Sequence, residues 1–300
     1  MDSNQPALAF VGAATLDAIA LVEHFPHPDE RLVAENLCYA GGGPAATAAV
    51  TVARLGLPAA FIGAVGDDPE GRRIIEDLHA EGVDVSAVTV VAGQPSGASV
   101  ILVDRSRGAR AICTRPGPAP EMSASAKKVL SSPWVHVDQL GWAPVHEVLT
   151  GAGDQRPALS VDAGNPIPGF SAGSVDLYVP TVEALRLVHG PLSTDQLLDA
   201  ALAAGAAAVV ATDGSRGSFA ATASGERAHA PALTVDVVST LGAGDVFHGA
   251  LVAARVLDMT LADSLAFAGV AAALSCRGLD GRSAIPDRAE VTAQLPSLIH

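Results

Sequence analysis

Apolar positions fall in two rhythms along this chain: short unbroken runs, and longer Ala-rich segments that alternate with them. The short runs read as buried strands at Ala7–Gly12, Ala59–Val65, Trp134–Val137, Ala158–Val161, Leu177–Val179 and Ala206–Ala211. The longer segments predict helices over Ala45–Leu55, from Asp67 and Asp68 through Ala80, at about 122–131 and 143–152, and over Leu261–Leu274. Asp67, Asp68 and Glu70 suit the start of the second of these as capping acids. Glu30–Tyr39, Ser96–Val103 and Ala109–Thr114 read as a second group of strands, the last two joined by a turn at Asp104–Gly108. Ser218–Ala228 reads as a further hairpin. Strand–helix alternation predicts an α/β fold, a doubly wound and mainly parallel sheet covered on both faces. Ligands bind such sheets outside the carboxyl ends of the strands.

Composition narrows the function. A hydrophobic share of 49% supports a large core, but aromatics are only 4%, so Ala, Val and Leu must fill it. A formal charge of −14 argues against nucleic acid as a partner. Lys127 and Lys128 are the two lysines, and neither sits in a Gly-x-x-x-x-Gly-Lys loop, which excludes a Walker-type phosphate site. Cys38, Cys113 and Cys276 are odd in number and far apart, as expected of buried thiols in a cytoplasmic protein. The polar start shows no signal-peptide pattern, and no apolar run is long and bare enough to span a bilayer. No repeat or linker divides residues 1–300, which read as one domain.

Val235–Gly249 carries the strongest chemical signal. A β-branched run, Val235–Val238, reads as a strand end; Thr240–Gly244 turns; an Ala-rich helix is expected from about Asp245. Free N–H groups at a helix start, with the positive end of the dipole behind them, form an anion site. Asp245 there is either an ordinary N-cap or, beside a substrate hydroxyl, a general base.

Ser239–Asp245, Ser-Thr-Leu-Gly-Ala-Gly-Asp, resembles the C-terminal signature of the ribokinase-like (PfkB) sugar kinases, Asp-Thr-x-Gly-Ala-Gly-Asp. Gly41–Val50, with Ala53–Gly56 and Gly63–Asp68, resembles that family's N-terminal signature, and the likeness runs from about Ala7 to Pro286. It implies one kinase domain over 1–300 with a lid from about 13–38 and 96–115. It implies transfer of the γ-phosphoryl group of ATP to a primary sugar hydroxyl. Asp245 would be the base, and the N–H groups of Gly242, Ala243 and Gly244 would hold the phosphoryl oxygens. Asp17 and the loop Gly41, Gly42 and Gly43, expected in unusual backbone angles, would fix the sugar. Arg110 and Arg115 are candidates for phosphate or an acidic sugar substituent. Thr212, Gly214, Gly217, Thr240, Gly242 and Ala272 would contact nucleotide. Magnesium would bridge the phosphates with Glu183 reaching it through water, and potassium is an option near Asp236, Val238 and the Cys276–Pro286 loop.

The family pattern is not followed everywhere. Asp162-Ala-Gly-Asn165 stands where relatives carry Asp-x-Asn-x-Arg; Pro180-Thr-Val-Glu183 lacks the family Asn, and Ser239 replaces the usual Asp. The blocks Gly41–Val50, Asp245–Leu251 and Gly281–Asp287 look most like the ketose branch that includes sulfofructose kinase, with Arg31 at the place of its lid lysine. A ketohexose-type sugar, with or without an anionic substituent, is therefore the expected acceptor. A nucleoside or vitamin-precursor kinase and a non-catalytic sugar- or nucleotide-binding protein stay open beside it. Exposed lid strands make a homodimer plausible.

Overall fold

The computed structural model describes residues 6–153 and 156–298. In chain order the elements are β1 (Leu8–Val11), β2 (Thr15–Val22), β3 (Asn36–Gly42), α1 (Pro44–Arg54), β4 (Ala59–Ile62), β5 (Ala64–Gly66), α2 (Pro69–Ala80), β6 (Thr89–Val91), β7 (Gly97–Asp104) and β8 (Ala109–Arg115). There follow α3 (Ala126–Ser131), β9 (Trp134–Val137), α4 (Trp142–Thr150), β10 (Ala158–Asp162), β11 (Leu177–Val179), α5 (Val182–His189), α6 (Thr194–Ala203) and β12 (Ala208–Thr212). The chain ends with β13 (Ser218–Thr222), β14 (Arg227–Ala230), α7 (Ala243–Val256), α8 (Leu261–Ser275) and α9 (Arg288–Gln294).

Eight strands form the central sheet in the order β14-β13-β12-β11-β10-β9-β1-β4. From β12 to β4 every pairing is parallel; β13 and β14 add antiparallel at one edge. Side chains of a strand alternate between its faces, so consecutive residues feed different cores. Leu8 and Phe10 pack with Phe61 and Val210 under α1, α7 and α8, while Ala9 and Val11 pack with Val135, Val137 and Tyr178 under α4, α5 and α6. This is the doubly wound arrangement that the alternation predicts. Among the described residues no helix is long and apolar enough to cross a membrane.

A four-stranded sheet, β3-β2-β7-β8, stands apart from the central one. β2 pairs antiparallel with β3 and parallel with β7, and β7 pairs antiparallel with β8. The register aligns Asp17 with Ala40 and Ser99, and Ser99 with Thr114, in one row across the sheet. That row faces the carboxyl ends of the central strands through Asp17.

Some expected elements differ. The strand expected from Glu30 starts at Asn36, because Glu30 folds back to accept from the His27 N–H at 2.8 Å and closes a loop. Ala59–Val65 breaks at Gly63, whose backbone lies against the Phe61 ring, and the chain leaves for a separate β5–β6 ladder. Val235–Val238 is no strand: it finds no ladder, Val237 and Val238 are exposed, and the N–H groups of Val238 and Ser239 donate to the Cys276 carbonyl. α7 starts at Ala243, two residues ahead of Asp245, because Gly242 turns the chain with φ +74°.

Candidate active site

The turn into α7 is possible only with glycine at 242. A Cβ there would lie 2.7 Å from the Gly281 Cα, and φ is left-handed. Gly244 opens onto free space, which leaves the helix mouth accessible. Of the three amides expected to hold an anion, the Ala243 N–H is partly engaged, donating to the Thr240 carbonyl at 3.3 Å. The first-turn N–H groups of a helix otherwise have no partner one turn back.

Asp245 sits in that first turn. It keeps partial exposure, yet burial pushes its pKa up to about 7, with Asp162 and Asp138 adding to the rise and His248 and Arg282 opposing it. A carboxylate poised near neutrality suits a general base.

Arg282 is the residue that joins the site. It is buried, and its Nε donates to Thr47 Oγ1 at 3.2 Å while one terminal nitrogen donates to the Gly42 carbonyl at 2.7 Å. Burial lowers its pKa to about 10, while the charges of Asp17 and Asp245 hold it up. Both carboxylates therefore lie within the electrostatic reach of one guanidinium. Asp17, buried on β2, has its pKa raised by burial and restrained by Thr15, Ser99 and Arg282. Its Oδ1 has no partner among the described residues.

The glycine loop serves this close approach. A Cβ on Gly41 would meet the Arg282 guanidinium, and one on Gly42 would meet the Asp17 carboxylate. Both lie in β3; only Gly43 has a positive φ, at 94°, so the expectation of unusual angles at all three is corrected to one. Gly43 leads into α1 with Pro44 at its first position. From behind, Asp138, just beyond β9, accepts from the N–H groups of Ala13 at 2.7 Å, Ala45 at 3.3 Å, Leu140 at 2.9 Å and Gly141 at 3.1 Å. It locks the strand ends that carry the loop.

On the other side of the α7 mouth lies a cleft of about 420 Å³. Thr212, Gly214, Gly217, Thr240 and Ala272, five of the six positions expected to contact nucleotide, line it together with Ala243 and Gly244. Gly242 caps the helix beneath them. Leu233, Val235, Val237 and Phe247 make much of the wall apolar, as a flat heterocycle would require. Arg110 reaches over from β8, donating to Thr240 Oγ1 at 2.7 Å.

Other expected residues lie elsewhere. Arg115 is used within the small sheet, donating to the Ser96 carbonyl at 3.0 and 3.3 Å, and pairs with Ala98, one position off the Asp17 row and so on the opposite face. Arg31 is exposed in the loop between β2 and β3. Glu183 opens α5, is largely exposed and lies 3.8 Å from Arg186; its neighbour Thr181 bridges to Thr212 at the cleft wall. Among the described residues no cluster of three or more His, Cys, Asp or Glu could hold a metal. Arg282, His248 and Asp138 are site residues that sequence reasoning did not single out, and Asp162 was noted only as part of a run that departs from the family pattern. For Arg282 a signal existed: a basic residue inside the otherwise small and apolar Gly281–Pro286 segment.

The fold is that of ribokinase. The structure of Arabidopsis thaliana ribokinase, complexed with ribose and ATP, matches with a TM-score of 0.84 at 27% identity, covering 97% of this chain and 99% of that one. The pfkB family carbohydrate kinase profile matches residues 5–145 and 168–288, and the chain belongs to that family. Among sequences, the Arabidopsis thaliana ribokinase is 28% identical over 310 residues, 97% of this chain and 81% of that protein. The ketohexokinase of Mus musculus is 25% identical over 299 residues, 90% of this chain and 97% of that protein.

Proposed function

We propose that this carbohydrate kinase transfers the γ-phosphoryl group of ATP to a primary hydroxyl of an uncharged ketohexose-type sugar, with Asp245 as general base. The observation that carries the reading is Arg282, which touches the glycine loop and is faced by both Asp17 and Asp245. Sugar carboxylate and base thus share a pocket, and the nucleotide cleft lies across the same helix mouth. In the reaction Asp245 takes the hydroxyl proton and the alkoxide oxygen bonds to the γ-phosphorus. The bond to the β–γ bridging oxygen breaks, and ADP leaves. The unpaired Oδ1 of Asp17 accepts from a sugar hydroxyl. Amides at the α7 mouth face the phosphoryl oxygens, and Arg110 brings the cation that the missing lysine would supply.

The cleft's size, its apolar wall and the open helix mouth fit ATP. A magnesium ion would be held mainly by phosphate oxygens and water, with Glu183 in reach through water, and would neutralise charge developing on the phosphates. The acceptor is read as neutral because Arg31 is exposed, Arg115 is engaged, and Arg282 bonds to Thr47 and Gly42 in the field of two carboxylates. Ribose is the competing acceptor, since the Arabidopsis relative is a ribokinase. ADP release measured over fructose, ribose, 6-deoxy-6-sulfofructose and nucleosides tests this: turnover is expected with a neutral ketose. Sugar binding without ADP formation overturns the kinase reading; preference for the sulfonated sugar overturns the neutral one.

The small sheet of Thr15–Val22, Asn36–Gly42, Gly97–Asp104 and Ala109–Arg115 is the lid of this reading. Its outer face is apolar: Leu37, Tyr39 and Val100 are 60, 69 and 58% exposed beside Ala18, Ala20 and Leu102. A second copy of this chain is the occupant we assign to that face. Light scattering during gel filtration should give twice the chain mass, and Tyr39→Glu should return one. Three free thiols fit a cytoplasmic enzyme.

A further inference from the structure

We propose that His248 and Asp162 form a buried ion pair whose charges, one helical turn from Asp245, poise that carboxylate for the phosphoryl transfer. This rests on the reading of Asp245 as the base. His248 follows Asp245 by three residues on α7, which places both on one face of the helix. Its Nε2 lies 3.3 Å from Asp162 Oδ1 at the end of β10, and both residues are buried. Asp162 is fixed in turn by the Gly164 N–H at 2.9 Å. Behind the pair stands His136 of β9, its ring centroid 5.3 Å from that of His248 and its Nδ1 3.1 Å from Ser160 Oγ.

Two neighbouring imidazoles buried this deeply, their rings tilted by 40°, cannot both be charged. Burial pushes His136 down to about 3, helped by the charge of His248. Burial works against charge on His248 too, but Asp162 and then Asp245 raise its pKa above the usual imidazole value. The proton therefore sits on His248. Burial likewise opposes the charge of Asp162, and His248 reverses this, holding it well below the usual carboxylate range. His248 Nδ1 keeps an unpaired, buried position one turn from the base.

The groups facing Asp245 are Asp162 from β10, Asp138 beyond β9, His248 from its own helix and Arg282 from the closing loop. α1 and α8 also pack on α7 but bring no free charge there: Arg54 is paired with Glu81, and Asp263 is bonded at the α8 N-cap. Asp162 raises the affinity of Asp245 for a proton, and His248 lowers it. The two act in opposite directions, so His248 offsets part of the rise that Asp162 causes beside the base. The proton removed from the sugar stays on Asp245; the pair neither gives nor takes one.

The test is the pH profile of kcat/KM for sugar. His248→Asn removes the opposing charge, so the acidic limb should rise by about 1 pH unit, about tenfold less activity below both limits. The double variant H248N/D162N removes both charges, and the limb should return toward wild type. An unmoved limb in H248N overturns the proposal. Should H248N not fold, imidazole NMR of the wild-type enzyme decides: His248 should stay protonated and His136 neutral at pH 7, and a neutral His248 overturns the pair. D245N separates the two readings. If it keeps turnover, the base assignment falls and the pair with it; if it loses turnover while H248N keeps its limb, only the pair falls.

Discussion

Asp245→Asn should cost activity and gain stability, and the gain should depend on pH. The carboxyl of Asp245 is held at about 7 in the folded chain against an ordinary value of 3.8. A raised folded pKa means that the native state binds the proton more tightly than the unfolded chain. Its favourable contribution is full below pH 3.8 and is lost as pH rises to about 7. Each unit is about 1.4 kcal/mol, so the ionised base costs the fold up to about 4 kcal/mol above neutrality. Asn carries no such charge. D245N should therefore gain about 3 kcal/mol more over wild type at pH 8 than at pH 5, read as a Tm difference of about 6 °C at ~2 °C per kcal/mol. Turnover should meanwhile fall about 10²–10⁴-fold, or about 3–5 kcal/mol of barrier. Equal stability gains at the two pH values would refute the buried-base argument, and near wild-type turnover would remove Asp245 from the chemistry.

Arg282→Met should lower kcat/KM for sugar by about 10²-fold, because the two carboxylates lose their shared cation, with ATP affinity by calorimetry little changed. Gly242→Ala should destabilise the chain by about 1–3 kcal/mol in urea unfolding, since a Cβ at φ +74° meets the Gly281 backbone. Arg110→Ala should raise the KM for ATP about tenfold with the sugar KM near wild type, since it removes one charge-assisted contact worth about 1.4 kcal/mol to the triphosphate. A shift in the sugar KM alone would place Arg110 on the acceptor instead.

The core strands were legible because a parallel sheet buried on both faces writes continuous apolar runs, such as Leu8–Val11 and Ala59–Ile62. The turn at Gly242 was legible because its geometry admits one residue type. Val235–Val238 misled for a physical reason: β-branched residues report a preference for extended backbone, not the presence of a partner strand, and here the apolar side chains serve the cleft instead. Arg115 misled because residue type says nothing of which sheet face a strand presents, and one step of register carries it away from Asp17. His136 lies inside a run that already reads as strand, so its polarity was absorbed into the pattern, and Asp162 was read only as the start of a run that departs from the family's. Only the fold shows that β9, β10 and α7 bring them together.

The same logic bears on substrate choice. A chain with a net charge of −14 and two lysines places Asp17, Asp138, Asp162 and Asp245 around one pocket. Arg282 and His248 balance part of that charge: His248 pairs with Asp162, while Arg282 bonds to Thr47 and the Gly42 carbonyl and offsets Asp17 and Asp245 through its field. An anionic sugar entering there would compete with Asp17 and Asp245 for the charge of Arg282, at a cost of about 1–3 kcal/mol or more. Hydroxyls need no such exchange, because ionised carboxylates are acceptors in need of donors. On the proposed reading the triphosphate lies along the cleft lined by Thr240, Ala243 and Gly244, with Arg110 bonded to Thr240 beside it. Separation of the two ligands by charge, more than the shape of either cleft, is the reason we propose a neutral polyol as the acceptor.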